Sequence, residues 1–117
     1  MDLTRLMLRL YFGDLMLGPG KATLLEAIGR EGSISAAGRA MGMSYKRAWQ
    51  LVEEMNAHFA EPVVESSRGG AKGGGARLTK AGAALVADYR ALEAKLQSAG
   101  AEEIARIGAM VATPKSG

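Results

Sequence analysis

Residues 32–56, GSISAAGRAMGMSYKRAWQLVEEMN, restrict the fold more than any other stretch of the chain. Two helical segments flank a short turn. Ser33 stands where it can cap the first segment and Ser44 the second, because a hydroxyl ahead of a helix accepts a bond from an orphaned backbone N–H. Gly42 between them supplies the positive φ of the turn. The first segment, Ile34 to Met41, is short and alanine-rich, which suits close packing on a neighbour. The second, roughly residues 45–59, places Ala48, Trp49, Leu51, Val52, Met55 and Phe59 on a buried side. Its exposed beginning carries Tyr45, Lys46, Arg47 and Gln50. A helix that packs by one face and offers cations, an amide and hydroxyls from its first turns has the form of a helix-turn-helix reading head.

The distribution of charge supports that form. The net charge is +3, a mild lean towards anionic partners. No acid occurs from Gly32 to Val52, where Arg39, Lys46 and Arg47 are basic. None occurs from Ser66 to Ala87, where Arg68, Lys72, Arg77 and Lys80 are basic. Two acid-free basic windows suit a phosphate backbone, and a solvated basic face is the competing reading.

The remaining segments fall into place around the pair of helices. Residues 3–12, LTRLMLRLYF, alternate, with Leu6, Leu8, Leu10 and Phe12 on one face, and predict a strand. Gly13-Asp14 and Gly18-Pro19-Gly20 separate it from a helix over 21–31 that carries Leu24, Leu25 and Ile28 on one side and stops at Gly32. After Pro62, Val63 to Ser66 predict a short strand and Arg77 to Thr79 its return. Between them runs RGGAKGGGA, residues 68–76. A hairpin with a glycine-rich basic tip, placed directly after such a helix pair, predicts a wing. A surface loop is the bland alternative. The segment does not match a phosphate-binding GxxxxGK[ST] loop.

Thr79 caps a last long helix, roughly 80–98. In it Gly82, Leu85, Tyr89, Leu92 and Leu96 recur at spacings of three and four, a narrow stripe that suits a helix seam. Leu85, Tyr89, Leu92 and Leu96 are therefore expected to form a dimer seam. Residues 99–111 predict a further short helix, and 112–117 a frayed end. The fold class expected is mainly α with a small β-wing, a winged helix-turn-helix with a long C-terminal dimerisation helix. Residues 1–98 form the DNA-binding domain in this reading, and 99–117 a partly disordered extension.

Composition excludes several classes. Cysteine is absent, so there are no disulfides or thiolate metal sites. The lone His58 cannot build a histidine metal cluster or serve a nucleophile. Glu53 and Glu54 are adjacent and diverge on a helix, as do Glu102 and Glu103. No catalytic residue, metal site or cofactor is expected. No leader or membrane-spanning run is visible, and the cytoplasm is the expected location.

The motifs GSISAA (32–37), MSYKRAWQLVEEMN (43–56) and GGAKGGGARLT (69–79) closely resemble the N-terminal DNA-binding domain of ModE-type molybdate-responsive transcriptional regulators of bacteria, relatives of the LysR-type winged helices. The resemblance runs from about Leu3 to Leu96. It implies a homodimer that binds a palindromic operator near molybdate-transport genes. Members of that family continue into molybdate-binding domains with an SARNQ-like segment, which these 117 residues do not contain. The expectation is thus the reading head without the molybdate sensor.

Combining the two lines, Ser44, Tyr45, Arg47 and Gln50 are expected to read bases, since arginine pairs with guanine and glutamine with adenine in the major groove. Ser33, Lys46, Arg68, Lys72, Arg77 and Lys80 are expected to meet phosphates. Trp49 is assigned to the core. The alternatives are a protein-interaction module that uses the C-terminal helix, and a small oxyanion-responsive protein.

Overall fold

The computed structural model describes residues 1–67 and 75–112. In chain order the elements are β1 (Leu10–Phe12), β2 (Leu15–Leu17), α1 (Pro19–Glu31), α2 (Ile34–Ala40), α3 (Tyr45–His58), β3 (Val64–Ser67), β4 (Gly75–Leu78), α4 (Lys80–Ala99) and α5 (Ala101–Met110).

Three helices and the base of one hairpin share a core. Leu24, Leu25 and Ile28 of α1, Ala37 of α2, Ala48, Val52 and Met55 of α3, and Val63, Val64 and Ala76 of the hairpin all lie in it. The alanines let α2 and α3 approach closely. Gly42, at φ 70°, makes the tight link between them, and the Met43 amide returns to Gly38 O at 2.9 Å.

β3 and β4 pair antiparallel, with Val64 opposite Leu78 and Ser67 opposite Gly75. Backbone and side-chain bonds hold this wing at both ends. Ala76 N–H donates to Gly32 O at 2.9 Å, at the junction of α1 and α2. On the other side Asn56 of α3 accepts from Val63 N–H at 2.8 Å and donates to Val64 O at 3.1 Å. The strands run Val64–Ser67 and Gly75–Leu78, so β4 begins at Gly75, inside the glycine run, two residues ahead of the expected return at Arg77. Residues 68–74, with the expected contacts Arg68 and Lys72, lie outside the described residues, as do 113–117 of the expected frayed end.

The N-terminal segment departs from its expectation. The predicted strand over 3–12 is a strand only at Leu10–Phe12, where it pairs with β2 across Gly13-Asp14. Alternation survives upstream without a partner strand: Leu6, Leu8 and Leu10 are half-buried, while Phe12 is 66% exposed at the hairpin tip. What holds this segment is Tyr89 of α4, whose hydroxyl donates to Leu8 O at 2.6 Å. Leu8, Leu10, Leu17, Ala22 and Leu85 pack around it.

Two residues of the expected seam, Leu85 and Tyr89, serve the chain's own core. Tyr89 is 2% exposed and Leu85 packs against both clusters of the chain's own core. A one-sided stripe on α4 cannot show from sequence whether it meets its own N-terminal segment or a second copy. In the structure its first half meets the former. Leu92 is half-buried and Leu96 is 43% exposed.

α4 is tied to the helical core at two places. Its N-cap Thr79 accepts from Gly82 N–H at 3.0 Å and donates to Pro62 O at 2.6 Å. Arg90 bonds Glu26 of α1 at 2.7 Å, Glu93 at 2.9 Å and Thr23 at 3.1 Å. Those carboxylates hold the guanidinium's pKa above its ordinary value. Beyond this tie α4 continues into α5, and the Met1 ammonium donates to Gly108 O at 2.9 Å.

Candidate nucleic-acid interface

The front of α3 starts from its cap. Ser44 has extended backbone, and its Oγ accepts from Arg47 N–H at 3.1 Å. Ser33 caps α2 in the same way, accepting from Ala36 N–H at 2.9 Å. Both serines therefore have a structural task, and each keeps a hydroxyl hydrogen to donate. No acid stands in the first turn of α3 or of α4. The partial positive charge at these helix starts is thus left for an anion.

Helical geometry then sorts the α3 side chains. Ala48, Leu51, Val52 and Met55, at spacings of three and four, turn inward. Ser44, Tyr45, Lys46, Arg47 and Gln50 are all exposed. The structure thus brings the four expected base readers and Lys46 together on one helix start. Arg47 also borders an open cleft of about 590 Å³ with Arg9, Lys21, Met43 and Glu54. Lys21 there is nearly buried, and its ammonium donates to Met16 O at 2.6 Å and to Glu54 at 3.0 Å. It ties the N-terminal hairpin to α3.

Trp49 is a correction. The sequence reading placed it in the core, yet it is 45% exposed. The inward side of α3 is centred between Ala48 and Leu51, and Trp49 lies about 100° round the helix from Ala48. One turn from Tyr45, it shares that residue's stripe. Its size and apolarity suggested burial; only the packing of small Ala48 against Gly38 shows which residue faces α2 (a Cβ on Gly38 would stand 3.2 Å from that of Ala48).

The other expected phosphate contacts are spread over the wing and α4. Arg77 on β4 is exposed and bonds Glu65 on the paired strand at 2.7 Å. Its charge is therefore shared with a carboxylate from outside the acid-free window, a neighbour that only strand register reveals. Gly32, beside the cap Ser33, lines one cleft with Ser67, Glu65 and Arg77. Lys80 is exposed in the first turn of α4. Arg39, which the site assignments omitted, is exposed on α2 and bonds Ser35 at 2.7 Å.

Among the described residues no group of three or more His, Cys, Asp or Glu is placed to hold a metal ion. No described helix is long and apolar enough to cross a membrane.

Comparison with known proteins agrees with this geometry. Residues 21–83, more than half of the chain, match the model described as bacterial regulatory helix-turn-helix protein, lysR family. The molybdenum-pterin-binding protein MopB of Rhodobacter capsulatus is 55% identical over 78 residues, covering 67% of this chain and 29% of its own length. The molybdenum transport protein ModE of Azotobacter vinelandii is 48% identical over 83 residues, 71% of this chain and 31% of its own length. In Escherichia coli the DNA-binding transcriptional dual regulator ModE is 41% identical over 75 residues, 64% of this chain and 29% of its own length. The matched stretch spans under a third of each of these relatives. Among solved structures, a CbnR_DBD-DNA complex has a chain that superposes with a TM-score of 0.54 at 21% identity, over 79% of this chain and 97% of that one. That likeness establishes the winged-helix fold.

Proposed function

The chain belongs to the LysR family of bacterial regulatory helix-turn-helix proteins, and from that premise we propose that it binds double-stranded DNA as a sequence-specific transcriptional regulator. The observation that carries this reading is the start of α3. Tyr45, Lys46, Arg47 and Gln50 stand exposed there without an acid among them, on a helix anchored from behind by Ala48, Leu51, Val52 and Met55. Ser44, Tyr45, Arg47 and Gln50 supply base readout. Ser33, Lys46, Lys80, Arg77 and the wing cations Arg68 and Lys72 supply phosphate contacts. Residues 1–98 form the DNA-binding unit, and the role is binding, not catalysis.

The protein acts as a homodimer on a palindromic operator in the cytoplasm. Support comes from Leu96 and the far half of α4, which the chain's own core leaves open. The similar proteins named for molybdenum transport and molybdenum-pterin binding suggest that the regulated genes serve molybdate uptake.

The test is selection of duplexes from a random library, followed by titration at two salt concentrations. A palindromic preference, with affinity falling linearly in log salt, is the expected result. Absence of binding at low salt would sink the proposal.

A further inference from the structure

Exposed aromatic side chains on a helix are informative when they cluster. Trp49, the chain's one tryptophan, is 45% exposed, and Tyr45 is 58% exposed. Four residues apart, they stand about 6 Å from one another along α3. Asn56 continues the same stripe seven residues after Trp49, about 10 Å further along. There it bonds the backbone of Val63 and Val64 at the foot of the wing. Trp49 therefore sits on the wing-side flank of α3, between the wing's anchor and the front of the helix. It has Lys46 one turn before it and no acid before Glu53.

A solvated flank would favour a polar residue here. Core packing does not explain the indole, because Ala48, Leu51, Val52 and Met55 take the inward positions of α3. The surface to which it belongs is the DNA-reading surface of α3. In the major groove the distinctive apolar group is the thymine C5-methyl.

We propose that Trp49 is a specificity-determining contact that packs its indole against a thymine methyl group, once in each half-site. This assignment rests on the DNA-binding reading above and adds to it a residue and a base. The indole ring is rigid, so it loses little entropy on contact. A methyl offers no polar atom that it would have to satisfy. Lys46 and Arg47 hold the helix in the groove while Trp49 discriminates on one flank.

The experiment uses the full chain and the best duplex from library selection. Binding is followed by anisotropy of a labelled duplex, and Trp49 separately by acrylamide quenching of its fluorescence. Each thymine of a half-site is then replaced in turn by uracil, which removes only the methyl. The expected result is that binding lowers acrylamide access to Trp49 at least about twofold. One uracil position weakens the wild type about fourfold, the size of burying one methyl-sized group. Trp49→Ala binds thymine and uracil duplexes alike at that position, and Trp49→Phe recovers part of the difference. Circular dichroism at the binding temperature should show both variants folded, since Trp49 lies outside both core clusters.

Sequence-preferring binding with unchanged acrylamide access would overturn the proposal and leave the regulator reading intact. Protection of Trp49 without any uracil-sensitive position would also overturn it, because the contact would then lie on the sugar edge. Failure to bind any duplex would remove both readings together.

Discussion

Asn56 donates to Val64 O and accepts from the Val63 and Val64 amides, so one side chain answers three backbone groups at the foot of the wing. Among the described residues no buried side-chain nitrogen or oxygen lacks a partner, and removal of this amide would leave backbone groups unanswered in its place. Asn56→Ala should cost about 1–3 kcal/mol, measured by urea unfolding, and should loosen the wing before the helices. Gly82 shows the same economy of space: a Cβ there would stand 2.1 Å from Val63 O, so α4 can lie on the wing foot only with glycine at that position. Arg47 belongs to function instead. Its side chain is exposed, and its backbone N–H is the one that the Ser44 cap accepts from. Arg47→Ala should leave melting unchanged and relax preference at one base pair by about 1–3 kcal/mol. Identical sequence preferences for variant and wild type would refute its base contact.

At the scale of elements, α4 has two jobs that a helical wheel superimposes. Its first half closes the chain's own core through Leu85 and Tyr89, and Arg90 fixes its direction against Glu26 of α1. The Tyr89 phenol is held above the usual tyrosine pKa, first by burial and then by the Glu93 carboxylate, with Arg90 and Arg9 acting in the opposite sense. As pH rises past about 10, the unfolded phenol ionises first while the folded one keeps its proton. The stabilisation present below that pH is therefore lost above it. Tyr89→Phe should lose about 1 kcal/mol at neutral pH, with the bond to Leu8 O. It should also show a flatter stability profile between pH 9 and 11, read by denaturant midpoints. An equally steep decline in the variant would place the alkaline sensitivity elsewhere.

The molecule as a whole is extended. Its radius of gyration is 17.7 Å, against about 13 Å for a compact domain of this length. Along the arm made by the far half of α4 and α5, Leu96, Ile107 and Met110 are 43%, 62% and 84% exposed. A second copy covering that arm would give two reading heads a set spacing, which is why the dimer is part of the proposed function. Leu96→Asp should lower the dimer fraction in sedimentation and weaken binding to a full palindrome far more than to a single half-site. A variant that stays fully dimeric would move the seam away from this helix. The mild net charge is unevenly spread at this scale as well, because every acid lies outside the two basic windows.

Local chemistry accounts for much of what the chain displays unaided. The caps Ser33, Ser44 and Thr79 stand where the sequence places them, as does Gly42 with its positive φ, because capping and turn conformation depend on a few neighbouring residues. Helix order and the wing follow from the same short-range signals. The outward turn of Trp49, the burial of Tyr89 and the pairing of Arg77 with Glu65 could not be read that way. Each depends on which distant segment arrives at a given face, and periodicity states only that a face is apolar. The helix pair that most restricts the fold was thus legible in its backbone and caps. The orientation of its largest side chain was settled by tertiary packing, in which Ala48, with no side chain beyond Cβ, fits against Gly38 and turns the indole outward.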